Sequence, residues 1–158
     1  MAPPYKDRPL ITASPPAIFF ACLIAGSVLH LLFRATLGSF PDIFRIWGGI
    51  TLLVLAGVFA ASAFWVLHRN RTPFNPFRAT TQIVQKGAFR ISRNPMYLSL
   101  ALLLAGTALL VNAFSFVIAT ILFVVIISRG VIQPEERYLE EKFGNEYRGY
   151  AEKVRRWL

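Results

Sequence analysis

Arg90, Arg93, Asn94 and Pro95 stand just before an almost purely apolar stretch that opens at Met96. Asparagine is a favoured helix N-cap and proline a favoured first helical residue, so the pair predicts a helix starting at Pro95. The first backbone N–H groups of such a helix lack intrahelical partners, and its end carries roughly half a positive charge. Carboxylates and phosphates bind at ends of this kind, and Arg90 and Arg93 add guanidinium donors. A plainer role also fits, because basic residues flank cytoplasmic helix ends and pair with anionic lipid. On these residues alone the plainer role is the commoner one. Further along, Glu135 and Glu136 form a carboxylate pair. They suit a bridge to Arg90 or Arg93, or acceptance of hydrogen bonds from a bound ribose. The alternative is complementation of a helix dipole, worth about 0.3–1 kcal/mol. That alternative is preferred for Glu136, and Glu135 stays open.

The elements that must position these groups follow from the distribution of charge. Of 158 residues, 55% are hydrophobic and only 16% charged, too apolar for an ordinary soluble domain. No Lys, Arg, Asp or Glu occurs from Leu10 to Phe33, from Ile46 to Leu67, or from Asn94 to Ser128. Uncharged runs of about 20 residues are what a hydrocarbon core of about 30 Å requires of a helix. The third run, at 35 residues, is too long for one crossing and predicts a hairpin of two spans turning near Val111 to Ala113. The expectation is an all-α integral membrane protein forming a single domain over residues 1–158. Its spans are placed at about 16–37, 44–67, 95–111 and 114–132, with a loop over 68–94 and a tail over 133–158. The last two spans are short, and a re-entrant hairpin would leave both its ends on the same face.

Basic residues orient the whole. One side collects Lys6, Arg8, Arg69, Arg71, Arg78, Lys86, Arg90, Arg93 and the seven Lys/Arg from Arg129 onward, whereas the other holds little beyond Arg34 and Arg45. The positive-inside rule then puts both termini in the cytoplasm, most simply at the cytoplasmic (inner) membrane. The apolar stretch after Lys6 and Arg8 runs on to Phe33, as a retained anchor does rather than a cleaved signal. The single Cys22 allows no internal disulfide, and no metal-ligand spacing occurs. A nucleic-acid partner is not expected, and oligomeric state is not readable.

Function is therefore sought in two cytoplasmic segments. In the first, Pro73 and Pro76 forbid a continuous helix, while Phe74, Phe77 and Phe89 offer apolar anchors. In the second, Pro134 suits a first helical position and Gly144 a C-cap. Asn145 then suits a cap for a second helix striped by Tyr147, Tyr150, Ala151 and Val154. A pair of short amphipathic helices is expected.

Taken together, "GAFRISRNPMYLSLALLLAG" and "EERYLEEKFGNEYRGYAEKVRRWL" resemble the isoprenylcysteine carboxyl methyltransferase family, whose wider group includes the phospholipid N-methyltransferases. The family pattern G-x-[YF]-x-x-x-R-[HN]-P-x-Y is met by Gly87, Phe89, Arg93, Asn94, Pro95 and Tyr97. A second pattern after the hairpin is met by Glu135, Glu136, Leu139, Phe143, Gly144, Tyr147, Tyr150, Val154 and Arg156 or its neighbour Arg155. The match covers roughly residues 70 to 158. The resemblance implies an S-adenosylmethionine-dependent membrane methyltransferase with a lipophilic small-molecule or lipid substrate. It also implies cofactor contacts at Val84, Gly87, Phe89, Asn94, Pro95, Met96, Tyr97 and Glu135, with Arg93 close by. The methionyl carboxylate would meet the start of the Pro95 helix, the ribose would meet Glu135, and adenine would lie between Phe89 and Tyr97.

Two departures bear on the acceptor. Asn94 stands where prenylcysteine enzymes often carry histidine, and an amide does not titrate. The arginine they place about four residues before the cofactor glutamate is replaced by Val131, leaving Arg129 as the nearest substitute for substrate binding. A carboxylate, thiol, amine or phospholipid headgroup stays open as acceptor, and no catalytic base is named. His68, the only cytoplasmic histidine, reads more simply as an interfacial residue ending a span. Rival classes are a non-catalytic protein retaining the fold, an NADPH-dependent membrane reductase, and a small transporter. The last lacks an acidic group within a span, since no Asp or Glu lies between Arg45 and Pro134.

Overall fold

The structure is a computed structural model that describes residues 9, 11, 13–39, 41–72 and 80–158. The expectations for Lys6, Arg8, Pro73, Phe74, Pro76, Phe77 and Arg78 lie outside the described residues. Helix α1 runs Pro15–Phe33, α2 Asp42–Arg69, α3 Pro95–Val111, α4 Phe114–Ile127, α5 Gln133–Phe143 and α6 Asn145–Lys153. A 3₁₀ turn at Gly87–Arg90 precedes α3, and a π-helical turn at Ser128–Ile132 joins α4 to α5. The described residues are helical or irregular, without strands.

Local signals set the helix ends. Ser14 caps α1 by accepting from the Ala17 N–H at 3.3 Å, and two prolines follow. Asp42 opens α2 and pairs with Arg45 at 2.8 Å. The α3–α4 hairpin turns on Asn112, which adopts the left-handed conformation (φ 54°), tolerated by asparagine far better than by branched residues. Its Oδ1 also accepts from the Leu37 N–H at 3.2 Å, tying the hairpin to the α1–α2 connection. Arg45 fastens α2 to the same end, donating from Nη1 to the carbonyls of Leu109 (3.0 Å) and Leu110 (2.8 Å).

The helices pack in the order α1, α4, α3, α2. Ile18, Phe19 and Cys22 of α1 meet Leu104 and Ala108 of α3 and Phe116, Phe123 and Ile127 of α4 in one apolar cluster. Helices α2 and α3 approach closely where Gly49 faces Gly106. A Cβ on Gly106 would lie 3.1 Å from the Gly49 carbonyl oxygen, and one on Gly49 would lie 2.6 Å from Leu110 Cγ. Small residues at such a crossing let two backbones approach, as membrane helices commonly do. Outward faces are apolar too: Ile24, Leu31, Trp47, Val58, Trp65 and Ile121 are all exposed. A surface of this kind belongs in hydrocarbon, not water. Three helices, those at Pro15–Phe33, Asp42–Arg69 and Phe114–Phe143, are long and apolar enough to cross a membrane, and Pro95–Val111 is a shorter apolar helix.

One expectation about the tail is corrected. The chain does not start a fresh helix at Pro134; α4, the π turn and α5 form a continuous helical run of 30 residues. Glu135 and Glu136 therefore sit in mid-helix, where no free N-terminus is available for dipole complementation. Pro134 carries no N–H, so the ladder loses a bond there, and the wider π turn directly before it absorbs the irregularity. Gly144 (φ 52°) ends α5, its N–H bonded to the Glu140 carbonyl at 2.9 Å, and α6 follows as expected. Asn145, however, is the first helical residue and provides no side-chain cap.

Candidate functional site

The start of α3, the 3₁₀ turn, α5 and α6 converge with the end of α2 around a cavity of about 150 Å³. The 3₁₀ turn is held from two sides. Ala88 N–H donates to Ser62 Oγ of α2 at 3.0 Å, and Tyr150 OH of α6 donates to the Phe89 carbonyl at 2.7 Å. Gly87 begins the turn at φ +56°, and a Cβ there would lie 2.8 Å from Val66 Cγ2 and 2.9 Å from Ser62 Oγ. Glycine is thus required by both backbone and space. Val84 packs with Val66, Leu67, Phe89 and Met96 into a small apolar wall.

Asn94 does not cap α3. Its side-chain Nδ2 donates to the Arg156 carbonyl at 3.0 Å and its N–H donates to Ser92 Oγ at 3.1 Å. The correction has a tertiary cause: the chain's last residues compete for the amide. Pro95 has no N–H and Leu98 N–H bonds to the Asn94 carbonyl at 2.9 Å. The donors of Met96 and Tyr97 are left without partners among the described residues, and both residues line the cavity.

Arg93 lies beside it. Its Nη1 donates to Tyr147 OH at 3.1 Å and pairs with Glu136 Oε1 at 3.2 Å. Its Nε is buried with no hydrogen-bond partner among the described residues. Glu136 also receives both Nε (3.1 Å) and Nη2 (2.6 Å) of Arg156. Tyr97 OH, also at the cavity, donates to Glu135 Oε1 at 3.0 Å and holds that carboxylate. Burial, reinforced by Glu136 and opposed by Arg93, pushes Tyr147 up to about 12, so its hydroxyl stays neutral. Burial likewise pushes Tyr150 up. The hydrogen bond to Glu136 raises Arg156 above its ordinary value, with burial opposing.

Of the residues singled out from sequence, Val84, Phe89, Arg93, Asn94, Pro95, Met96, Tyr97 and Glu135 line one cavity. Gly87 sits behind its wall. Arg129 is exposed on the π turn and is not among the lining residues. His68 is exposed and stacks on Phe64 with ring centroids 6.1 Å apart. The sequence favours a dipole role for Glu136, but the structure sets it between two arginines from chain segments 43 and 20 residues away. Ser92 braces the same region through Arg156 and Asn94, a role for which a lone serine offers no sequence signal.

At one end of the apolar helices, a largely apolar cavity thus combines aromatic walls, the start of α3 and the Glu135 carboxyl group. The phospholipid methyltransferase family model matches residues 44–146, and the chain belongs to that family. Protein-S-isoprenylcysteine O-methyltransferase B of Arabidopsis thaliana is 28% identical over 145 residues, covering 85% of this chain and 71% of the plant protein. An uncharacterised protein of Haemophilus influenzae is 53% identical over 64 residues, covering 40% of this chain and all of that relative. Family and plant relative agree on the general class, an integral membrane methyltransferase.

Proposed function

We propose that this chain moves a methyl group from S-adenosylmethionine to a lipophilic acceptor that enters from the bilayer, and that the whole chain acts as one unit. The observation that carries the reading is the convergence of complementary groups on one cavity. Among the described residues the buried Nε of Arg93 has no partner and the N–H groups of Met96 and Tyr97 are uncapped. The Glu135 carboxyl, held by Tyr97, lines the same cavity. The Nε–Nη2 edge of an arginine suits a carboxylate bidentately, which fits the methionyl group. The Glu135 carboxylate suits a ribose diol, and Val84, Phe89 and Met96 suit adenine.

Bound S-adenosylmethionine would supply an already activated methyl on a sulfonium. The protein's work is then alignment and exclusion of water. Tyr97 fixes the Glu135 carboxylate, Tyr147 and Glu136 fix Arg93, and the apolar wall around Met96 dries the transfer path. A carboxylate acceptor is ionised near neutral pH and needs no base; a thiol, amine or phospholipid headgroup is the alternative acceptor, and a protonated thiol or amine must first give its proton to solvent. The charge bias supports a cytoplasmic-membrane location with both termini cytoplasmic.

Calorimetric titration of the detergent-solubilised protein with S-adenosylmethionine, set against NADPH, tests the reading. Micromolar-range binding of the first alone is expected, strongly weakened by Glu135→Ala and by Arg93→Ala. A wild type that binds no S-adenosylmethionine sinks it.

A further inference from the structure

The last residues of the chain leave α6 in extended form and return across the start of α3. Arg93 N–H donates to the Arg155 carbonyl at 3.0 Å, and Ser92 Oγ donates to the Arg156 carbonyl at 3.2 Å. Asn94 Nδ2 reaches that same carbonyl at 3.0 Å. The Arg156 guanidinium turns the other way, onto both oxygens of Glu136 at 3.1 and 2.6 Å, and Trp157 packs against the central apolar cluster. Arg93 is consequently gripped twice: through its backbone by Arg155, and through its side chain by the carboxylate that Arg156 holds.

We propose that residues 154–158 form a strap that positions Arg93 in the donor cavity, with Arg156 as the positioning residue. The reasoning is one of competition for donors. Glu136 occupies Nη1 of Arg93 and leaves the Nε–Nη2 edge for a ligand carboxylate. Without Arg156, Glu136 loses two charge-assisted contacts and is free to take that edge of Arg93 in bidentate fashion, the geometry such pairs prefer. The same strap draws the Asn94 amide away from the helix end it would otherwise cap. Both effects keep carboxylate-binding donors unfilled inside a fold that contains their natural competitors. Arg156 touches no ligand in this account; it acts through Glu136.

The inference rests on the proposed donor reading, and the test separates the two. Binding of S-adenosylmethionine and of its decarboxylated analogue is measured by calorimetry on the full-length wild type, Arg156→Ala and Arg156→Lys. Arg156→Ala is expected to weaken S-adenosylmethionine about tenfold, the scale of one lost charge-assisted contact, while leaving the decarboxylated analogue unchanged. Arg156→Lys, which retains the charge but not the fork, should fall between. Equal loss for both ligands, or no loss for either, overturns the strap proposal while the donor reading stands. Should Arg156→Ala fail to fold, the ratio of the two affinities in Arg156→Lys decides, and an unchanged ratio overturns the proposal. A wild type that binds neither ligand removes the donor reading first, and the strap's role with it.

Discussion

Gly87→Ala should damage the site without touching the ligand cavity. Gly87 sits at φ +56° with its would-be Cβ 2.8 Å from Val66 Cγ2 and 2.9 Å from Ser62 Oγ. The left-handed conformation costs a residue bearing a Cβ about 1–2 kcal/mol, and forcing a methyl into occupied space costs about 1–3 kcal/mol more. Even the low end, about 2 kcal/mol, is a roughly 30-fold shift in a local opening equilibrium. The Ala88 N–H, bonded to Ser62 Oγ at 3.0 Å, reports that opening. Hydrogen exchange at Ala88 and Ile91 in detergent should accelerate by at least that factor, and S-adenosylmethionine affinity should drop because the turn carries Phe89. Gly57→Ala, where a Cβ meets nothing within 4 Å, is the control and should leave exchange unaltered. If Gly87→Ala exchanges like the wild type, the close packing of the turn on α2 is wrong, and with it the account of how the cavity wall is held.

Three further outcomes are expected. Arg45→Met removes the donors to the Leu109 and Leu110 carbonyls, and a thermal melt should register a loss of about 2 kcal/mol, with donor affinity retained. The value for Tyr147 rises from its ordinary 10 to about 12 in the fold. The stability it contributes is therefore complete below pH 10 and is lost as pH rises through about 12; Tyr147→Phe should flatten that alkaline limb in a pH series of melts. Arg129→Ala, at an exposed residue of the π turn, should leave donor affinity unchanged, and weakened calorimetric binding would place Arg129 closer to the cavity than the structure does.

The sequence by itself determined the membrane class and the start of α3. Uncharged runs, their lengths and the Asn94–Pro95 junction are local properties, read without knowing what packs against what. The hairpin turn at Asn112 and the break between α5 and α6 at Gly144 were legible for the same reason, since turn residues act on their own backbone; the expected start at Pro134 and cap at Asn145 were not realised. Resemblance of two separated motifs added the candidate ligand chemistry, although nothing local says that Glu135 and Tyr97 lie 3.0 Å apart. Tertiary structure alone decided which donors are spent and which stay free. Asn94 is by propensity a cap, yet the Arg156 carbonyl claims its amide. Glu136 is by position a dipole residue, yet a π turn makes the helix continuous and two arginines from other segments claim its carboxylate. Hydrogen-bond capacity is settled by competition among groups brought together from across the chain, and composition and spacing do not show who the competitors are.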